Sequence, residues 1–240
     1  MISYREVTDF PFIVGAVVPE TLYLANWYKN ATGGLIATIL SVIILFVGTY
    51  FLLTTYRRNA ENQYRAHHDV LTKLPNRTLF SDRLSNAIAA CKRNKEALAI
   101  LFIDLDNLKT INDVHGHAIG DMVLTEVSVR MRQCLRDSDT VARIGGDEFV
   151  VLLPGVGNEQ TAVMLAEKIR KALILPIEVD GNNITTSASI GVALYPEHGL
   201  NDTDLMNNAD VAMYEAKASG RNAIKVYGKD LVVKIFRDIT

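Results

Sequence analysis

Arg143-Ile144-Gly145-Gly146-Asp147-Glu148-Phe149 is the stretch on which the fold turns. A short apolar run leads into it and Phe149-Val150-Val151-Leu152-Leu153 leads out, so it reads as the tip of a β-hairpin. Two adjacent glycines permit positive φ and let backbone approach a ligand with no Cβ in the way. Two carboxylates follow at once, where a hairpin tip aims them outward. Such a tip is suited to holding a divalent cation against a phosphate chain. On these residues alone, a solvated turn with two surface acids is the simpler reading. The surrounding chain reverses that preference.

Upstream, Leu98 to Ile103 is a short apolar run that reads as a central buried strand, and it ends in Asp104-Leu105-Asp106. If this strand neighbours the hairpin, Asp104, Asp147 and Glu148 converge with the strand-end carbonyl of Leu105. Hard oxygen donors with few fixed protein contacts suit Mg²⁺, which keeps waters and takes its other ligands from phosphates. The competing reading, independent surface acids, must explain carboxylates at the ends of two hydrophobic strands. Backbone amides just after Asp106 are placed to cradle phosphate as a nest. Asn112 and Asp121 carry the groups that read a guanine edge, although both are also ordinary turn and capping residues. Downstream, Lys217 lies in the last turn of a helix and Arg221 just past its glycine stop. A helix carboxyl end repels anions, so phosphate binding there requires such cations; plain capping by basic residues explains them equally well in isolation. No phosphate-binding loop of the GxxxxGKS or GxxxxGKT kind occurs, which excludes the P-loop enzymes. His68-Asp69 has no distant partners and reads as a cap, not a metal pair.

Around these motifs, helical and extended patterns alternate. A turn-rich entry from Asp69 leads into a helical pattern through Asn94. Val123, Val127 and Met131 share a helix face ending near Arg136, and Asn158 to Leu173 is amphipathic. Ile174 to Val179 and Ile184 to Leu194 read as strands about a turn at Asp180-Gly181-Asn182-Asn183. A helix from about Asp202 to Ser219 precedes a last strand, Asn222 to Tyr227. The result is an α/β (α+β) domain over residues 69–228, a mixed central sheet with flanking helices, followed by an uninformative tail, 229–240. With 25 basic and 27 acidic residues among 240, the chain has no general attraction for a nucleic acid polymer. Cys91 and Cys134 share no close spacing and read as reduced core residues.

The amino-terminal third has a different character. Leu35 to Leu53 is a run of 19 uncharged residues, and no charge occurs between Lys29 and Arg57. At 1.5 Å per residue it covers about 28 Å, close to a hydrocarbon core, so residues 34–56 read as one transmembrane helix. Arg57, Arg58 and Arg65 crowd its carboxyl side, which predicts a single pass through the bacterial inner (plasma) membrane with the later domain cytoplasmic. Residues 1–33 are then a short extracytoplasmic segment, too small for its own core. Phe10 to Pro19 reads as one strand without a partner, similar to the closing strand of Cache-type sensor domains. Residues 57–68 read as a helical stalk whose Ala60, Tyr64, His67 and Leu71 have the spacing of a dimer seam.

Taken together the motifs resemble the GGDEF family, the diguanylate cyclases. The matching segments are His68 to Arg77, Phe102-Ile103-Asp104-Leu105-Asp106, Lys109 to Asp113, Gly116-His117 with Gly120-Asp121, Arg143 to Phe149, and Ala209 to Tyr214 with Ala216-Lys217 and Gly220-Arg221-Asn222. The resemblance implies a fold related to nucleotide cyclases and polymerase palm domains, and the condensation of two GTP into cyclic di-GMP and two pyrophosphates. By position it implies that Asp104, the Leu105 carbonyl and Asp147 hold Mg²⁺, or Mn²⁺ in its stead. Asp147 accepts the proton of the attacking hydroxyl, with Glu148 as helper. Asn112, His117 and Asp121 take the substrate, chiefly guanine, and Lys217 and Arg221 meet the phosphates. Arg136 and Asp139, spaced as the family's RxxD site, imply inhibition by the cyclic product. One domain holds one GTP, so a homodimer is implied. The alternative is a catalytically silent module that binds GTP or cyclic di-GMP and signals to a partner; a bare membrane anchor leaves the ordered acids and bases unexplained.

Overall fold

The structure, a computed structural model, describes residues 2–6 and 13–228. The tail 229–240 and residues 10–12 of the predicted outer strand lie outside the described residues. The chain divides into two compact units, Met1–Asn62 and Gln63–Thr240.

In the first unit, strands β1 (Ile2–Glu6) and β2 (Ile13–Val17) pair antiparallel, Ile2 opposite Val17 and Glu6 opposite Ile13. The outer strand is therefore shorter than the 10–19 run and is not alone. Its partner is the segment ISYRE, whose apolar content is too slight to mark a strand by pattern. Helix α1 (Glu20–His67) follows without a break, beginning well before residue 34. Pro19 sets its start, its carbonyl accepting from the amides of Leu22 (3.0 Å) and Tyr23 (3.3 Å), and Glu20 sits favourably at the positive end of the helix dipole. The portion Glu20–Tyr56 is long and apolar enough to cross a membrane. Its hydroxyls are turned inward on the helix: Thr38, Ser41 and Thr49 donate to the carbonyls of Gly34, Ala37 and Leu45 at 2.8–2.9 Å, which would lower the cost of placing them in hydrocarbon.

The second unit holds a five-stranded mixed sheet in the order β4-β5-β3-β8-β9, formed by β3 (Leu98–Asp106), β4 (Thr140–Gly145), β5 (Glu148–Pro154), β8 (Ser187–Tyr195) and β9 (Ile224–Val226). Only β8 and β9 are parallel. Helices α2 (Arg77–Asn94), α3 (Leu108–His115), α4 (His117–Cys134), α5 (Glu159–Ile174) and α6 (Asp202–Ala218) complete it. Three of them start on an asparagine whose side chain accepts an amide two or three residues into the helix: Asn76 from Leu79, Asn158 from Thr161 and Asn201 from Asp204. Strand β3 is buried throughout, as a central strand must be. Its alternation sends Leu101, Ile103 and Leu105 into a core with α4 and α5, and Ile100 and Phe102 into a second core with α2 and α6.

The predicted strand over 184–194 is instead two elements. Asn182–Ile184 (β7) folds back on Ile177–Val179 (β6) as a separate two-stranded ribbon. The turn shrinks to Asp180 and Gly181, both at positive φ (48° and 75°), which is what a two-residue hairpin requires. Thr186 then ends the ribbon by donating to the Asp106 carbonyl at 3.0 Å. Both cysteines are free and buried, and burial pushes their thiols up, as reduced core residues should behave.

One position decides how closely α6 lies on the sheet. A Cβ at Gly191 would stand 2.0 Å from the Ala209 carbonyl oxygen and 2.2 Å from the Met213 amide nitrogen. Only glycine lets the helix backbone rest directly on β8, and that approach brings the end of α6 to the end of β3.

Candidate active site

On the face of β3 that looks toward α6, the apolar series Ile100, Phe102 continues as Asp104 and Asp106. Both are buried, at 5% and 2% exposure, so each must answer for its charge. Asp106 is satisfied by the protein itself. It accepts from Ser187 Oγ (2.5 Å), Ser189 Oγ (2.8 Å) and the Asn222 amide (3.0 Å). It thereby ties β3 to β8 and fixes the loop that carries Arg221. Asp104 has a single close partner, Lys217 Nζ at 2.6 Å. Burial pushes the Asp104 carboxyl up to about 6; the charges of Asp147 and Asp106 add to the rise, and Lys217 opposes it.

The hairpin tip meets this end of β3 as the sequence predicts. Asp104 pairs in register with Glu148, which places the two carboxylates on one face of neighbouring strands. The Leu105 amide donates to the Asp147 carbonyl at 3.2 Å. A strand residue's N–H and C=O point to the same edge, so the Leu105 carbonyl also faces the tip. Of the two glycines, Gly146 alone occupies the left-handed region, at φ 51°; Gly145 is near-extended, within a bulge after Arg143.

The tip is braced by a contact the sequence reading missed. Arg143 donates through Nε and Nη2 to the Gly146 carbonyl (3.0 and 2.7 Å) and through Nη1 to Asp69 Oδ1 (3.1 Å). Asp69 also accepts from the amide and hydroxyl of Thr72 (2.8 and 2.7 Å). These bonds to Thr72 and Arg143 outweigh burial, the largest single influence, and hold the Asp69 carboxyl below its ordinary value. Asp69 thus closes a turn with Thr72 and caps no helix, the start of α2 being capped by Asn76, and contrary to expectation it has a distant partner, Arg143, through which it holds the tip. An arginine two residues before paired glycines and an aspartate at a turn were the available signals; nothing in the spacing links residues 74 positions apart.

Asp104, Leu105, Asp147, Lys217 and Arg221 line one pocket of about 220 Å³ together with the segment Asp106–Thr110. Asn107 takes a left-handed conformation (φ 63°) before the first turn of α3, a sequence of backbone conformations of the kind that builds an anion nest, on a segment that lines the pocket. The donor set fits a divalent cation: two carboxylates and a carbonyl, hard oxygens close enough that the charge of Asp147 raises the proton affinity of Asp104. Among the described residues no group of three or more His, Cys, Asp and Glu forms a closed metal cage, so such an ion would take other ligands from water and phosphate. Asn112, His117 and Asp121 do not line this pocket; they stand where α3 meets α4. Asn112 lies over Gly120, where a Cβ would be 1.8 Å from its Oδ1. His117 opens α4 and Asp121 is exposed one turn on. Arg136 and Asp139 are elsewhere, closing a turn in which the Arg136 amide donates to Asp139 Oδ2 and the Asp139 amide to the Arg136 carbonyl, both at 3.0 Å.

Comparison with known proteins agrees with this geometry. A family model described as "Diguanylate cyclase, GGDEF domain" matches residues 66–223. The chain is 48% identical over 166 residues to diguanylate cyclase TpbB of Pseudomonas aeruginosa, covering 69% of this chain and 38% of TpbB. It is 47% identical over 190 residues to the bifunctional diguanylate cyclase/cyclic di-GMP phosphodiesterase MucR of the same organism, covering 78% and 28%. The chain therefore spans well under two thirds of the length of these relatives. The solved GGDEF domain of TpbB superposes with a TM-score of 0.69 at 45% identity, covering 70% of this chain and 99% of that one.

Proposed function

Since the chain belongs to the GGDEF family, we propose that it condenses two GTP molecules into cyclic di-GMP, each 3′-hydroxyl attacking the other's α-phosphate and releasing pyrophosphate. The observation that carries this reading is the convergence of Asp104, Asp147, Lys217 and Arg221 on one pocket. Acids for a cation and bases for phosphate thus adjoin at the meeting of two strands and a helix end. Asp104, the Leu105 carbonyl and Asp147 would hold Mg²⁺, or Mn²⁺ in its stead. When bound, such an ion neutralises phosphate charge and lowers the hydroxyl's pKa.

The chain's own residues position the rest. Amides of the Asn107–Thr110 turn and the cations Lys217 and Arg221 bind the triphosphate. Asp147, on a tip held by Arg143, takes the hydroxyl proton, with Glu148 beside Asp104 as helper. Asn112, His117 and Asp121, at the α3–α4 corner, take the guanine. Each domain offers one such site, so ring closure requires two domains face to face as a homodimer. Residues 34–56, within the apolar portion Glu20–Tyr56 of α1, cross the bacterial plasma membrane, residues 1–33 lie outside, and 57–68 form the stalk that sets how two domains meet. Arg136 and Asp139 bind the product and inhibit.

The test is direct. The full chain in detergent, given GTP and Mg²⁺, yields cyclic di-GMP detectable by mass spectrometry, and Asp147→Ala loses at least about 10²-fold in rate with the fold retained. No cyclic product from a folded wild-type chain that still binds GTP would favour the silent binding module.

A further inference from the structure

Three residues in succession beyond α6, Gly220, Arg221 and Asn222, stand at positive φ: 114°, 61° and 47°. Glycine takes such a backbone freely and asparagine tolerates it, but an arginine there is strained. Nowhere else among the described residues do two non-glycine neighbours both adopt it. Strain of this kind persists where the surroundings over-determine it, and it gathers at functional sites. Here the surroundings are explicit. The Gly220 and Arg221 amides return to the Lys217 carbonyl at 3.3 and 3.2 Å. The Asn222 amide donates to Asp106 Oδ2 at 3.0 Å, and the Ala223 carbonyl accepts from the Ile190 amide at 2.9 Å. The Asn222 side chain is held separately: Arg170 Nη1 donates to its Oδ1 at 2.6 Å and to its carbonyl at 3.4 Å. Arg170 is itself fixed by Glu167, Nε to Oε2 at 2.7 Å and Nη2 to Oε1 at 2.8 Å. Both belong to α5, whose core residues pack on the face of the sheet opposite to α6. The side chain between these supports, Arg221, lines the pocket of Asp104, Asp147 and Lys217. Its guanidinium has no hydrogen-bond or ion-pair partner among the described residues, so it is open to a ligand.

We propose that Arg170 and Asn222 are positioning residues for the triphosphate: they keep the strained turn from relaxing and so aim Arg221 at the phosphates. The proposal rests on the reading that Arg221 meets phosphate, and gives that contact a support reaching round the β9 edge from the far layer. A turn fixed before the ligand arrives leaves less to be ordered on binding, and affinity rises accordingly. Asp106 holds the same turn through the backbone of Asn222. Arg170 adds the side chain, so that the turn is gripped from both layers of helices.

Titration of a non-hydrolysable GTP analogue with Mg²⁺ into the full chain in detergent tests this. Wild type, Arg221→Ala, Arg170→Met, Asn222→Gly and the pair Arg170→Met with Arg221→Ala are compared, and thermal melting verifies that each is folded. Asn222→Gly keeps the amide bond to Asp106 and relieves the strain at φ 47°, so it serves even where Arg170→Met does not fold. Arg221→Ala is expected to weaken binding about 10- to 100-fold, as the loss of a charged contact does. Arg170→Met and Asn222→Gly should each weaken it about 2- to 10-fold, the effect of one side chain no longer ordered in advance. In the Arg221→Ala background, Arg170→Met should change nothing further, because it acts only through Arg221. Wild-type affinity in both Arg170→Met and Asn222→Gly would overturn the proposal. So would a loss from Arg170→Met that is as large without Arg221 as with it, which marks a general structural role. Wild-type affinity in Arg221→Ala would remove the reading that Arg221 meets phosphate, and the proposal with it.

Discussion

Asp104 ties the site's chemistry to pH. In the metal-free chain its carboxyl stands at about 6, chiefly through burial, so the folded state takes up its proton before the unfolded chain does. Its contribution to stability is therefore fully present below the ordinary carboxylate value of 3.8 and is lost as pH rises through 6. The proposed cation would need the ionised form, so the two demands oppose each other. Calorimetric titration of Mg²⁺ into the chain with a non-hydrolysable GTP analogue should show affinity falling by up to about tenfold per unit as pH drops below 6. Affinity that is flat from pH 7 to 5 would remove Asp104 from the ion's ligands. Arg143 acts at one remove, through the Gly146 carbonyl and Asp69. Arg143→Lys keeps the charge but lacks the planar fork that reaches the Gly146 carbonyl and Asp69 from separate nitrogens. It is expected to lower kcat by about 10-fold to 100-fold with little change in KM for GTP, since displacement of about 1 Å at a reacting group is enough.

Gly191 exerts a comparable effect at the level of an element. Ala at this position drives a methyl into the backbone of α6 at Ala209 and Met213, so the helix must rise from the sheet and carry Lys217 away from Asp104. The expected cost is about 1–3 kcal/mol in denaturant unfolding, with a loss of activity larger than that of an overpacked position remote from α6. Much at this scale was legible in the sequence. Three helices start where asparagine precedes a periodic run, and the strand ending at Asp104 announces itself by an unbroken apolar series. What escaped shares one physical cause, that it depends on partners distant in sequence. The segment ISYRE becomes a strand because β2 lies beside it, not through its own pattern. The ribbon β6–β7 is cut from β8 by the Thr186 bond to the Asp106 carbonyl, across 80 residues. The site was legible where its residues end apolar strands or close a helix, as Asp104, Asp147 and Lys217 do. The brace of Arg143 on Asp69 and the anchoring of Asp106 were hidden, because ordinary turn and strand positions give no sign of what they will touch.

For the whole molecule, a site that holds one GTP, as proposed, would make the rate depend on encounter. Specific activity of the full chain should rise with protein concentration and level off once pairs predominate. Activity that stays constant over a 100-fold dilution extending below the dimer's dissociation range, judged by light scattering, would argue that one domain suffices. Cysteines placed singly along residues 57–68 and cross-linked in active and inactive preparations should give two different patterns if the stalk sets the pairing. One pattern in both states would end that idea.

Asp104 and Asp106 stand two residues apart on the same side of one strand, yet they serve opposite masters. The second is held by three donors and anchors the architecture; the first has Lys217 as its close partner, and the proposed chemistry needs it ionised. A chain with asparagine in place of Asp104 should therefore melt higher than wild type at neutral pH while making no product, whereas the same change at Asp106 should loosen the sheet. Catalysis in this domain is thus detachable from folding, and a descendant could abandon synthesis through a single base change, persisting as a sound scaffold for recognition alone.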